Sequence, residues 1–307
     1  QFPPRKVTQP REHPAATRGA VEATPAGHRA ASLPPDERHS PLAEGVFIHL
    51  AREAGELIRR ERDNNALRTD YKHQTELVTH ADVMADEFIT GAIRKRFPGH
   101  RILSEETMPD LSQAEELDTP LWIVDPIDGT VNYAYGHPQV AVSIAYAEKG
   151  RVQAGVVHAP FPGETFRATR SEGATLNNHP IRHSGATVPR DALFATGFPY
   201  TKDALEPLVK RLDAMIHQCR DLRRIGSAAL DICWVACGRL DIYYENVSPW
   251  DFAAARLIAL EAGATAGHFS EVPDGYPADL WGRDILISAP ALWEPVRSIL
   301  RSASGYD

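Results

Sequence analysis

Apolar residues recur at helical spacing through Leu42, Val46, Leu50, Leu57 and Ile58, which predicts an amphipathic helix. Ser40 suits its N-cap and Pro41 its first turn. A second stripe, Met84, Phe88, Ile89 and Ile93, predicts another helix, entered from a short strand or turn at ELVT and stopped by Pro98-Gly99. RILSEE and LWIVDPIDGT read as strands that run into acids. From Val140 to about Arg182 the pattern turns to β, with one pair of strands around Lys149-Gly150 and a turn at Asn177-Asn178. The remainder alternates. DALFATG, DIYYE and DILISA read as strands. Helices are predicted up to about Cys219 and over GSAALDICWVACGRL, DFAAARLIALEAGA and ALWEPVRSILRSA. Such a mixture implies an α/β (α+β) chain of layered helices and sheets, and no repeat of fixed period runs through it.

Composition changes the picture mainly at the N-terminus. Residues 1–44 carry eight prolines and almost no large apolar residues, so they are expected to form a disordered extension to an ordered domain over 45–307. Within that domain, 45–185 is the expected metal- and phosphate-binding half and 186–307 a second α/β half. The extension lacks the apolar region of a secretory signal, and its acids nearly balance its bases. This leaves a cytoplasmic location, with organellar import through the extension open. A formal charge of −8 argues against a nucleic-acid surface, and no apolar run is long enough for a membrane span. Cys219, Cys233 and Cys237 are too few for a disulfide framework, and Cys233 with Cys237 reads as core packing rather than a metal pair.

The chemistry gathers where strands end. Glu105-Glu106, the pair Asp125 and Asp128, and Asp251 after Trp250 are acids without accompanying His or Cys, a donor set suited to a hard cation such as Mg²⁺. Two like charges as close as Asp125 and Asp128 repel unless a cation lies between them. Pro126 stiffens the turn, Gly129 admits close approach of a ligand, and Thr130 opens a helix whose free N–H groups suit a phosphate. Any one of these acids is an ordinary turn residue; together they point to phosphoryl chemistry. Asp125 and Asp128 are three apart, whereas an aspartyl-nucleophile phosphatase of the haloacid dehalogenase type uses DxDxT, and no P-loop occurs. The Asn246-Val247-Ser248 triplet, His137 and His158 read as incidental or structural.

SEE, WIVDPIDGTVNYAYGHP and SPWDFAAARLIALEAGA resemble the three signatures of the inositol monophosphatase family of Mg²⁺-dependent, lithium-sensitive phosphatases. ELVTHAD, GATLNNHPI and LRRIGSAALDICWVACGRLDIYYE fit between them, so the resemblance spans about residues 45 to 305. It implies an αβαβα layered sandwich of the inositol monophosphatase and fructose-1,6-bisphosphatase type, usually a homodimer, with two or three Mg²⁺ ions. By the same resemblance, Glu105, Asp125 and the Ile127 carbonyl hold a first metal, and Asp125, Asp128 and Asp251 a second. Glu105 also supports a weaker third. Thr130 and Asp82 orient the attacking water, and the Gly129 and Thr130 amides receive the phosphate beside Asp128. Ala228 and Glu245 line the alcohol pocket. Glu245 and Asp251 are six apart, one position closer than is usual in the family, and YKHQTELVT is one residue shorter than a common form of its mobile loop. Both departures bear on the substrate, a small phosphorylated alcohol. Inositol 1-phosphate is the first expectation, with histidinol phosphate and sugar phosphates next. A regulatory binding module on the same fold is the alternative from another class.

Overall fold

The computed structural model describes residues 44–64, 69–72, 76–107, 119–199 and 205–306. The expectations of a disordered extension, a cap at Ser40 and Pro41, and a stripe beginning at Leu42 lie outside the described residues, as does the middle of the YKHQT segment.

The first layer is a helix pair, α1 (Glu44–Asp63) and α2 (His80–Arg96), with a two-stranded antiparallel ladder, β1 (Thr69–Lys72) and β2 (Glu76–Thr79), leading into α2. Leu50 and Ile58 of α1 are buried as the spacing predicts, with Phe47, Ala51 and Ala54 completing the face. The stripe of α2 is rotated from its expected position. Ile89 and Ile93 face inward, but Phe88 is 37% exposed, and the buried face includes Asp82, Ala85, Asp86 and Thr90. Both acids have partners there: Asp86 accepts from the Ser104 hydroxyl, and Asp82 from Thr79 and Thr130. Hydrogen bonding thus turns a polar edge of the helix into the core.

This pair covers one face of a seven-stranded sheet. In spatial order it runs β3 (Arg101–Ser104), β4 (Leu121–Asp128), β5 (Ala141–Glu148), β6 (Arg151–Ala159), β7 (Glu164–Thr169), β8 (Ala174–Leu176) and β9 (His179–Pro180). Only the β3–β4 pair is parallel, and the short helix α3 (Thr130–Ala134) joins β4 to β5. The turns after β5 and β8 place Lys149, Gly150, Asn177 and Asn178 at positive φ, which the Asn177-Asn178 pair tolerates as its sequence suggests. His158 lies in β6, hydrogen-bonded to Thr165 at 3.0 Å, and burial pushes its imidazole down to about 4. Its role is structural.

Helices α5 (Ala228–Ala236) and α6 (Pro249–Glu261) pack on the other face. Beyond them lies a five-stranded sheet in the order β11 (Asp221–Arg223), β10 (Leu193–Ala195), β12 (Ile242–Glu245), β14 (Ile285–Ser288) and β13 (Thr265–His268). Helices α4 (Leu205–Gln218) and α7 (Trp293–Ser304) close the outer face, with Met215, Phe269, Val296 and Leu300 in the core beneath them. The layering is therefore αβαβα. Helix α6 is apolar almost all round because it lies between two sheets, and it sits very close to the first. A Cβ added at Gly155 of β6 would lie 2.9 Å from the Ala254 Cα. The three cysteines are free thiols, with Cys233 buried in the core between the sheets. No described helix is long and apolar enough to cross a membrane.

Candidate active site

Asp125 and Asp128 owe their common direction to a β-bulge. Residues three apart on an unbroken strand face opposite sides of a sheet. Here Asp125 pairs with Ser143 and Asp128 with Ala141, so β4 spends three steps where β5 spends two. The extra residue returns both carboxylates to one face. Pro126 fits inside the bulge because the ladder needs no N–H there. The Ile127 N–H instead turns to Asp125 Oδ1 at 3.0 Å.

Asp251 arrives from far along the chain. Ser248 caps α6, Pro249 occupies its first turn, and Asp251 Oδ2 accepts from the Ser248 N–H at 2.7 Å in a capping box. Ser143, the strand partner of Asp125, donates its hydroxyl to the Trp250 carbonyl at 3.1 Å and fastens the helix start to β5. One oxygen from each of Asp125, Asp128 and Asp251 then lies within 4.8 Å of the others. Glu105, at the end of β3, hydrogen-bonds with Asp125 from the neighbouring side.

These acids are costly to charge without a cation. Burial first, then Glu105, Asp128 and Asp251, hold the Asp125 carboxyl well above the ordinary carboxylate range. Burial and Asp128 do the same to Asp251. Asp128 rises only to about 6, because burial is opposed by three donors at the start of α5. The Ser227 hydroxyl and Ala229 N–H meet its Oδ2 at 2.5 and 2.7 Å, and the Ala228 N–H meets Oδ1 at 3.2 Å. Convergent oxygens, two buried and that of Asp251 half-buried, with mutually raised proton affinity are a donor set that fits a hard divalent cation, whose charge would replace the protons.

Beside this cluster, Thr130 Oγ lies 3.0 Å from Asp82 Oδ1 and 3.1 Å from the Ile127 carbonyl, so its single proton has two acceptors. Asp82 Oδ2 also takes the Thr79 N–H at 2.8 Å and the Thr79 hydroxyl. Gly129 precedes Thr130 at φ 100°. A Cβ there would meet the Gln139 and Gly226 carbonyls at 2.9 and 3.1 Å, so only glycine fits.

Glu105, Asp125, Ile127, Asp128, Gly129, Thr130 and Asp251 line one cleft of about 620 Å³, which also contains Ala228 and Glu245; Asp82 does not line it. Because the Ala228 N–H is taken by Asp128, this residue offers the cleft its methyl group. Glu245 ends β12 and is raised to about 7 by burial against the opposing help of Tyr243, whose hydroxyl donates to Oε2 at 2.9 Å. A Cβ at Gly197 would lie 2.0 Å from Glu245 Oε1, so that glycine makes room for the carboxylate. Neither Gly197 nor Ser227 nor Asp231, which also borders the cleft, figured among the sequence candidates. Ser227 was legible as a helix cap, and Asp231 as the one charge in AALDICWVA. Gly197 carried no signal. Arg224 stands on the exposed rim, and the Asn246 side chain is engaged by the Asp284 N–H at 2.6 Å.

The fold and the cleft define a class: a layered α/β protein carrying a carboxylate cluster for a hard cation between its sheets. Comparison with known proteins narrows it. The model of the inositol monophosphatase family matches residues 43–302, and the chain belongs to that family. The Pasteurella multocida Nus factor SuhB is 40% identical over 230 residues, covering 73% of this chain and 84% of that protein. Inositol monophosphatase 3 of Solanum lycopersicum is 37% identical over 244 residues, covering 78% and 89%. Among solved structures, the extragenic suppressor protein SuhB of Bartonella henselae superposes with a TM-score of 0.75 at 30% identity, over 84% of this chain and 97% of that one.

Proposed function

We propose that the protein is a Mg²⁺-dependent phosphomonoesterase acting on a small phosphorylated alcohol, with inositol 1-phosphate as the first substrate to test and histidinol phosphate and sugar phosphates next. The observation that carries this reading is the convergence of Asp125, Asp128 and Asp251 beside the Asp82–Thr130 pair. Glu105, Asp125 and the Ile127 carbonyl would hold one ion, Asp125, Asp128 and Asp251 another, and Glu105 a weaker third. Bound Mg²⁺ supplies Lewis acidity and offsets the charge that develops on the transferring group.

The chain's own groups do the positioning. Asp82, fixed by Thr79, accepts the Thr130 proton and leaves the hydroxyl's lone pairs free to orient a water. The Gly129 and Thr130 amides face the phosphate, and the positive φ of Gly129 turns the backbone toward it. Asp128 steadies α5, while Ala228 and Glu245 shape the alcohol pocket. Three free cysteines suit a reducing cytosol, where we place the activity, in a homodimer and without nucleic acid.

The test is hydrolysis of a panel of phosphomonoesters by purified protein with Mg²⁺ and with excess chelator. Undiminished turnover in chelator overturns the metal mechanism. The Nus-factor name of the SuhB relatives favours a second reading, a regulatory protein that keeps the fold as a binding module. Under that reading, regulation in cells survives Asp125→Asn, whereas phosphatase activity does not.

A further inference from the structure

Helix α2 turns Asp82, Asp86 and Thr90, each one helical turn after the last, into the core. The proposed mechanism uses only Asp82, which takes the Thr130 proton beside the metal acids. Asp86, 5% exposed, repeats that arrangement one turn later by accepting the proton of the Ser104 hydroxyl, itself fully buried. Burying a carboxylate is costly even when it is hydrogen-bonded, so a helix with two of them on its inner face bears a cost that apolar packing would avoid.

Ser104 is the last residue of β3 and directly precedes Glu105. It pairs in register with Val124, and the Glu105 N–H reaches the Val124 carbonyl at 3.2 Å, so Glu105 leaves the sheet level with Asp125. The strand ends there. The turn that carries Glu105 then hangs on Ser104: the Thr107 N–H donates to its carbonyl at 3.3 Å, and the Glu106 N–H to its hydroxyl oxygen at 3.4 Å. A hydroxyl has one proton to give and two lone pairs. With Asp86 accepting the proton, a lone pair is turned toward the Glu106 N–H. Without that acceptor the hydroxyl can rotate and release the turn.

We propose that Asp86 is a positioning residue that acts through Ser104 to hold Glu105 at the metal cluster. Helix α2 thereby braces two parts of the site at once, the water-orienting hydroxyl through Asp82 and the Glu105 ligand through Asp86. This rests on the proposed function for the role of Glu105 as a ligand, but on no particular substrate. Asp86 touches neither ion nor substrate, so its effect is on affinity for the ion that Glu105 holds. Groups that orient a ligand in this way change metal affinity by about 10- to 100-fold.

The experiment titrates the full chain with Mg²⁺ calorimetrically, without substrate, and takes thermal melts in chelator. The proteins are the wild type, Glu105→Gln, Asp86→Ala, Ser104→Ala, and Asp86→Ala combined with Ser104→Ala. Glu105→Gln marks the binding phase that depends on Glu105. Asp86→Ala is expected to weaken that same phase by about 10-fold and to leave the remaining Mg²⁺ binding unchanged. Ser104→Ala should do the same, and the double variant should be no weaker than either single one, because both act through one hydrogen bond. The double variant leaves neither buried partner facing a missing one, so it decides by the same phase if a single variant fails to fold. A fall in melting temperature with unchanged Mg²⁺ affinity overturns the proposal. So do equal weakening of all Mg²⁺ binding, a double loss equal to the two single losses combined, or a Glu105→Gln titration identical to the wild type. If the wild type hydrolyses no phosphomonoester but binds Mg²⁺, and the variants weaken the Glu105 phase, the phosphatase reading fails while this one stands. If hydrolysis depends on Mg²⁺ and the variants bind it as the wild type does, only this proposal falls. A wild type that binds no Mg²⁺ overturns the two together.

Discussion

Replacing Asp251 with Asn separates a metal acid from a helix cap. The substitution keeps an oxygen for the Ser248 N–H, 2.7 Å away, so the capping box loses little. It removes one of three negative charges whose oxygens lie within 4.8 Å of one another. At an effective dielectric of about 20, each pair at that distance repels by about 3.5 kcal/mol when both members are ionised. Burial lets the metal-free cluster keep part of its protons, which reduces the relief to about 1–3 kcal/mol. A domain of this size converts that into a Tm several degrees higher in chelator, at about 2–4 °C per kcal/mol. With Mg²⁺ the order reverses. The wild type gains stability from the ion by linkage, while the variant, one ligand short, gains much less. Turnover should fall at least about a hundredfold. The assay is a thermal melt of both proteins in chelator and across Mg²⁺ concentrations, together with kcat at saturating Mg²⁺. A variant that melts lower in chelator, keeps the full Mg²⁺-induced gain and retains near-normal kcat refutes the argument. Asp251 would then be a cap alone.

The metal-free protein should also respond to pH in an unusual direction. Asp128 is raised to about 6, and Asp125 and Asp251 are raised well above the usual range. Their stabilising contribution is complete below the unfolded carboxylate pKa of about 4 and is lost as pH rises through the folded values. Melts in chelator should therefore show this contribution shrinking above about pH 4, and the gain on adding Mg²⁺ should grow from pH 5 to 8. A pH-independent gain would contradict the cluster. Thr130→Ala should lower kcat by about 10²-fold or more and leave the Mg²⁺-induced Tm gain intact, since Thr130 orients rather than ligates. Loss of that gain would move Thr130 into the metal shell. Gly197→Ala should displace the Glu245 carboxylate and raise KM for polyol phosphates about tenfold without altering the Mg²⁺ dependence. An unchanged KM would mean that Glu245 is not held by this contact.

Periodicity alone located most helices and the strands that end in acids, and the DPIDGT and WD motifs pointed to the residues that the cleft brings together. It failed on α2. Hydrophobicity assigns aspartates to solvent, so Met84 and Phe88 were expected inside, whereas Asp82 and Asp86 turn inward to their hydroxyl partners. Strands β11 and β13 are three and four residues long and at least half polar, too short for alternation to register. Asp231 stood in plain view as a charge within an apolar helix, but what it faces depends on which turn of α5 meets β4. The bulge at Pro126 was legible only as a stiff turn, because an extra residue in one strand is defined by the partner strand's count. Gly197 was beyond reach for a similar reason: its missing side chain matters only once Glu245 occupies the space.

The contact between Gly155 and Ala254 acts as a spacer gauge. Ala254 is three residues after Asp251, so the helix that carries one acid rests directly on the sheet that carries the other two. The gap that a cation would fill between these acids thereby depends on the thickness of a glycine–alanine contact, remote from the acids themselves. A chain could retune its choice of cation without altering a single ligand, by widening that seat with a methyl or hydroxyl and lifting α6 by a fraction of an ångström. In an engineered variant, this apolar seat is therefore a place to adjust metal preference that leaves every acid unchanged.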